Sequence, residues 1–203
     1  MIFQYVKSGI AVALIVLASQ AVAAGNIEAG KTKSVTCQGC HGADGNSVMA
    51  TWPKLAGQHA SYIAKQVNDF KSGARKDPTM TAMAAPVSAE DIEDIAAYYS
   101  AQVIKTETAD KALAAEGEKI FRAGNKETGM AACMACHGPA GTGNAAANFP
   151  SLAGQHVDYV VKALNDFRSG TRTNDNAKMM QDVAGKMSDA EIKAVAAYIS
   201  GLH

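Results

Sequence analysis

Two five-residue runs, Cys37-Gln38-Gly39-Cys40-His41 and Cys133-Met134-Ala135-Cys136-His137, hold all four cysteines of the 203-residue chain. Two thiols at C-x-x-C spacing can each bond one vinyl group of a single porphyrin while the adjoining imidazole reaches its iron. Each run therefore reads as a c-type haem attachment site, with His41 and His137 as proximal ligands. A zinc ribbon fits poorly, because the pairs lie 96 residues apart and a histidine follows each directly. A thioredoxin-like pair wants a βαβ setting. Plain disulfides, open to an exported protein, leave the two histidines without a reason.

The second axial position decides between electron transfer and ligand binding. Nine methionines are present, and a lone methionine is usually adaptable core filling. Register narrows the field: Met80 and Met180 each lie eight residues before a serine that starts a helix, Ser88 and Ser188. Met83 pairs with Val183 and Met179 with Thr79, so only Met80 and Met180 are methionine in both copies. Met83 and Met179 are the fallback candidates. His59 and His156 compete as shared histidines, each following Leu-Ala-Gly-Gln at a helix start, where an exposed or backbone-bonded ring is the commoner outcome. A thioether favours the ferrous state, and His/Met ligation is the expectation.

These residues sit in a chain that repeats itself. Trp52-Pro53-Lys54-Leu55-Ala56-Gly57-Gln58-His59 answers to Phe149-Pro150-Ser151-Leu152-Ala153-Gly154-Gln155-His156, and Asn68 to Gly73 answers to Asn165 to Gly170. Each half reads as helical. A first helix is expected around Glu28–Thr36 or Ala112–Ala123. A middle helix is expected at Ala60–Ser72 or Val157–Ser169, ending before Gly73 or Gly170. A last helix starts at Ser88-x-x-Asp91 or Ser188-x-x-Glu191, the second a capping box. No strand pattern appears. The second half carries an insertion, Ala123 to Met130, that reads as a surface loop.

Lys7, the apolar run Gly9–Ala18 and Ala21-Val22-Ala23 form a secretory leader with a small-residue cleavage site, too short for a good membrane span. An uncleaved anchor is the competing reading. The expected division is 1–24 leader, 25–102 first domain, 103–115 linker and 116–203 second domain. Nineteen basic and nineteen acidic residues cancel, and removing Lys7 leaves the mature chain at −1. No basic stripe points to nucleic acid. Aromatic residues make up only 6 %, too few to fill two small cores easily, and a buried porphyrin would supply the apolar bulk.

With both attachment motifs, the Pro-x-Leu-Ala-Gly-Gln stretches and the two Met-to-Ser segments, the sequence resembles the dihaem cytochrome c4 family from about Gly25 to His203. The resemblance implies an all-α fold of two tandem class I cytochrome c domains about an approximate twofold axis, with two covalently attached haem c groups. It implies a periplasmic electron carrier rather than an enzyme, running from a bc1-type donor to a terminal oxidase, with a copper protein as a further partner and peripheral membrane association open. It also implies that the carbonyls of Pro53 and Pro150 accept the proximal histidines' other N–H. One habit is half met: Phe121 stands one turn after Gly117, whereas Ser34 follows Gly30, so a looser helix crossing is expected in the first domain. A dihaem peroxidase, or a dihaem subunit of a larger enzyme such as a flavocytochrome, are the rival readings.

Overall fold

The computed structural model describes residues 25–203. The leader expected at 1–24 lies outside the described residues. Among them, regular structure is helical, with two isolated antiparallel bridges, Asn125 with Met130 and Asn144 with Phe149. The first half holds α1 (Ile27–Lys33), α2 (Val35–His41), α3 (Ala60–Ser72), α4 (Pro78–Ala84) and α5 (Ala89–Ser100). The second holds α6 (Lys111–Ala123), α7 (Met134–His137), α8 (Val157–Ser169), α9 (Met179–Ala184) and α10 (Asp189–Gly201).

The middle helices α3 and α8 span the expected residues and end at Gly73 and Gly170, left-handed at φ 77° and 74°. Glycine takes that conformation without the penalty a Cβ would bring. Ser88 and Ser188 cap α5 and α10 as expected. Only Ser188 closes a full box, with Glu191 reaching back to the cap backbone. Asp91, with a shorter arm, turns instead to Lys33 at 2.7 Å.

The expected first helix of the first half is broken in two. Ser34, fully buried, donates its hydroxyl to the Lys31 carbonyl at 3.0 Å, and this local bond ends α1 where α2 starts. In the second half α6 is continuous over 13 residues.

Each half has its own core, in which the last helix crosses the first. Ile92, Ala96 and Tyr99 of α5 anchor one core. Ile192, Val195, Ala196 and Ile199 of α10 pack against Ile120 and Phe121 of α6 in the other. The crossings are equally close at the glycines: a Cβ on Gly30 would lie 2.0 Å from the Asp94 carbonyl oxygen, and one on Gly117 2.0 Å from that of Ala194. The expected looseness is therefore absent from the backbone approach. What differs is the aromatic: Phe121 is fully buried with its ring 5.3 Å from that of Tyr198, while Ser34 occupies the matching place.

The insertion is not wholly a surface loop. Met130, at its end, is 4 % exposed and belongs to the second core, tied down by paired backbone bonds to Asn125. The linker has no regular secondary structure from 103 to 110 and is pinned on both sides. Asn46 of the first half holds the Val103 carbonyl and the Lys105 N–H, and the Glu107 N–H donates to the Ser200 carbonyl of the second.

Candidate functional site

The two C-x-x-C-H runs form the helical turns α2 and α7, so the paired cysteines three apart share a face and the histidine follows on the last turn. All four cysteines are unpaired. Burial pushes the Cys37 thiol up, and it raises the Cys133 thiol to about 11, so both stay protonated at neutral pH.

His41 and His137 are each 6 % exposed. Their Nδ1 atoms lie 2.9 Å from the carbonyl oxygens of Pro53 and Pro150. A carbonyl only accepts, so Nδ1 carries the proton and Nε2 keeps its lone pair. Burial holds both imidazoles below their ordinary range, with the proline carbonyl pulling the other way, which favours the neutral ring. Among the described residues no partner meets either Nε2. The prolines are fixed in turn. The Gly45 carbonyl accepts from the N–H groups of Leu55 and Ala56, and the Gly141 carbonyl from those of Leu152 and Ala153.

A cavity of about 700 Å³ is lined by Cys37, Cys40, His41 and Met80 from the first half and by Cys133, Cys136, His137 and Met180 from the second. Met83 and Met179 also line it, whereas His59 and His156 do not. His156 instead bonds the Ser47 carbonyl at 2.8 Å and the Glu107 carboxylate at 2.6 Å, and His59 keeps a buried, unpartnered Nε2. Trp52 and Phe149 both border the cavity; Trp52 is 37 % exposed, and the Phe149 ring lies 6.2 Å from that of His137.

Both methionines are held by the same device. Asp77 caps α4, with Pro78 following, and accepts from the Met80 N–H at 3.0 Å. Asp175 accepts from the N–H groups of Met180 and Gln181 at 2.9 and 3.0 Å. The route into α9 is more contorted, since Ala177 and Lys178 are left-handed at φ 49° and 60°. An extra loop of residues is thus absorbed before a repeated anchor.

The donor set suits a c-type haem in each half: two thiols, a neutral imidazole with a free lone pair, and a thioether, all lining the cavity. Two guanidiniums complete it. Arg75 donates to Tyr159 Oη at 3.1 Å and Arg172 to Tyr62 Oη at 2.8 Å, each arginine from one half and each tyrosine from the other. Each guanidinium also lies over a ring of its own half, Phe70 at 4.7 Å and Phe167 at 4.4 Å. Burial would raise the Tyr159 phenol, but the two arginines outweigh it and hold it below the ordinary phenol range. Both guanidiniums line the cavity and would supply positive charge to the carboxylates of a bound porphyrin. These four residues went unremarked in the sequence, although Tyr62 and Tyr159, and Arg75 and Arg172, stand in matching register of the repeat.

Four comparisons with known proteins bear on the arrangement. The cytochrome c family model matches residues 27–100 and again 114–203. The chain is 49 % identical to cytochrome c4 of Pseudomonas aeruginosa over 188 residues, 92 % of this chain and 94 % of that one. It superposes on the crystal structure of reduced recombinant cytochrome c4 from Pseudomonas stutzeri with a TM-score of 0.86 at 49 % identity, covering 89 % of this chain and all of the other. It is also 42 % identical to a thiosulfate dehydrogenase electron acceptor of Stutzerimonas stutzeri, over 83 % of this chain and 80 % of that one.

Proposed function

The chain belongs to the cytochrome c family, among the dihaem cytochromes c4 that carry electrons on two covalently attached haem c groups, and from that premise we propose how and where it works. It is a periplasmic carrier whose irons are each held by histidine and methionine, His41 with Met80 and His137 with Met180. The observation that carries this reading is the duplicated donor set around one cavity, with each methionine N–H tied to an aspartate and each histidine Nδ1–H tied to a proline carbonyl.

When bound, haem c would supply a one-electron couple, its iron passing between the ferrous and ferric states. The protein's own residues have a plain task. Cys37, Cys40, Cys133 and Cys136 fix the porphyrins, and the Pro53 and Pro150 carbonyls orient the imidazoles and raise their basicity. The short helices α4 and α9 hold Met80 and Met180 at the wall of a largely apolar cavity. No acid, base or nucleophile is required.

The donor is a bc1-type complex and the acceptor a terminal oxidase, with a copper protein as a further partner. Docking is transient, over a small interface at a haem edge beside Trp52 or Phe149. The chain's overall neutrality predicts weak steering of the molecule as a whole. The described residues contain no helix long and apolar enough to cross a membrane. The leader expected at 1–24 supports export.

A second reading draws on the thiosulfate dehydrogenase electron acceptor: the same carrier would take its electrons from an oxidoreductase of sulfur compounds. Carbon monoxide added to the fully reduced protein tests the carrier reading against the peroxidase one. Slow or negligible binding at both haems is expected. Rapid, tight binding at one haem would mean an open iron and a catalytic centre.

A further inference from the structure

Each half of the molecule sends a glutamine into the other. Gln155 Oε1 accepts from the Lys54 N–H and its Nε2 donates to the Lys54 carbonyl, both at 2.9 Å. Gln58 does the same with Ser151: Oε1 accepts from the Ser151 N–H and Nε2 donates to the Ser151 carbonyl, both at 2.9 Å. Both residues are buried, Gln58 at 8 % and Gln155 at 7 % exposed. Their orientation is determined, because each Oε1 also accepts from the next residue's N–H, His59 or His156, at 3.0 Å. A flipped amide would set its NH2 group against two N–H donors.

The residues they grip follow Pro53 and Pro150. The Lys54 N–H and the Pro53 carbonyl are therefore the two ends of one peptide unit, and so are the Ser151 N–H and the Pro150 carbonyl. The carbonyl end of each unit accepts from a proximal histidine of its own half. The N–H end donates to a glutamine of the opposite half. Donation from an amide N–H polarises the unit and makes its carbonyl a stronger acceptor.

We infer that Gln155 is a positioning residue for His41, and Gln58 for His137, each acting across the domain boundary through one peptide unit. This rests on the reading of His41 and His137 as iron ligands. A stronger carbonyl acceptor draws more on the Nδ1–H bond, raises the basicity of Nε2 and favours the ferric iron. Each glutamine thus lowers the potential of the haem in the other half. The two potentials depend on the domains being docked, by contacts that do not involve the porphyrins.

The test uses the ferrous holoprotein, with proton NMR of the two proximal Nδ1–H resonances and a redox titration resolved for each haem. Gln155→Met and Gln58→Met keep the volume and remove both hydrogen-bonding ends. Gln155→Met is expected to move the His41 Nδ1–H resonance upfield and raise the potential of the haem at Cys37 and Cys40, leaving the His137 resonance in place. Gln58→Met should do the reverse. Shifts at the variant's own haem, equal shifts at both, or no shift at either would overturn the assignment. Gln155→Glu separates this role from loss of docking: it retains the acceptor, so the His41 resonance should stay or move downfield, and an upfield shift would overturn the assignment. A wild-type spectrum without two iron-bound histidines would instead remove the ligation reading, and the inference with it.

Discussion

The Lys54 ammonium, on a side chain only 4 % exposed, lies 3.0 Å from the Glu107 carboxylate. Lysine is rarely buried unless paired. Here its remaining protons go to the Lys105 and Gly154 carbonyls at 2.6 and 3.0 Å. Glu107 also receives the His156 ring at 2.6 Å, so one linker carboxylate ties a first-domain lysine to a second-domain histidine. Burial pushes the Glu107 carboxyl up, but Lys54 and His156 outweigh it and hold it below the ordinary glutamate range.

Replacing Glu107 by Gln should therefore destabilise the protein at pH 7 by about 1–2 kcal/mol. That is below the 3–5 kcal/mol typical of a fully buried pair, because this carboxylate side chain is 40 % exposed. A depressed carboxyl contributes stability above its unfolded pKa of about 4.3 and loses it as pH falls through the folded value. Thermal melting should show the gap between wild type and Glu107→Gln persisting at pH 5 and closing below about pH 4. A gap that widens on acidification would contradict the assignment.

At the helix crossings, Gly30→Ala and Gly117→Ala would each drive a methyl to 2.0 Å from a backbone oxygen of the partner helix. Neither oxygen can swing aside as a side chain could. Each substitution should cost on the order of 3 kcal/mol or prevent folding, read by denaturant unfolding. Two variants as stable as the parent would mean that the helices do not approach as described.

Phe121 fills a place that Ser34 leaves to a short hydroxyl. Phe121→Ala should cost about 3–5 kcal/mol in the second domain. Melting followed at each haem should find the first domain of the wild-type protein no more stable than the second. A clearly tougher first domain would show that the broken first helix is compensated elsewhere.

Much of this was legible in the chain. The repeat gave two helical domains, and Gly73, Gly170, Ser88 and Ser188 marked helix ends that the structure keeps. The proline carbonyls behind His41 and His137 were implied by the family resemblance and lie at hydrogen-bond distance. Other features were not legible. The helix α4 carried a signal in Asp77-Pro78, but the left-handed entry to α9 at Ala177 and Lys178 has none, since neither residue favours that conformation. The break at Ser34 came from one local hydroxyl bond. Lys54 and the two glutamines look like surface residues in any local window. Their burial follows from how the domains meet, a relation between segments some hundred residues apart.

Met80→Ala and Met180→Ala should each open one iron to carbon monoxide and lower that haem's potential, while Met83→Leu and Met179→Leu leave both haems closed. The shared register and the aspartate anchors of Met80 and Met180 motivate the choice. Carbon monoxide binding in the Met83→Leu variant but not in Met80→Ala would transfer the role to Met83.

The most direct test of the two-centre carrier is a redox titration of the isolated protein followed by optical and paramagnetic spectra. The expected result is two one-electron steps per chain, with low-spin histidine–methionine signatures at both haems in the ferric state. A single electron per chain, or a high-spin signal from one haem, would contradict it.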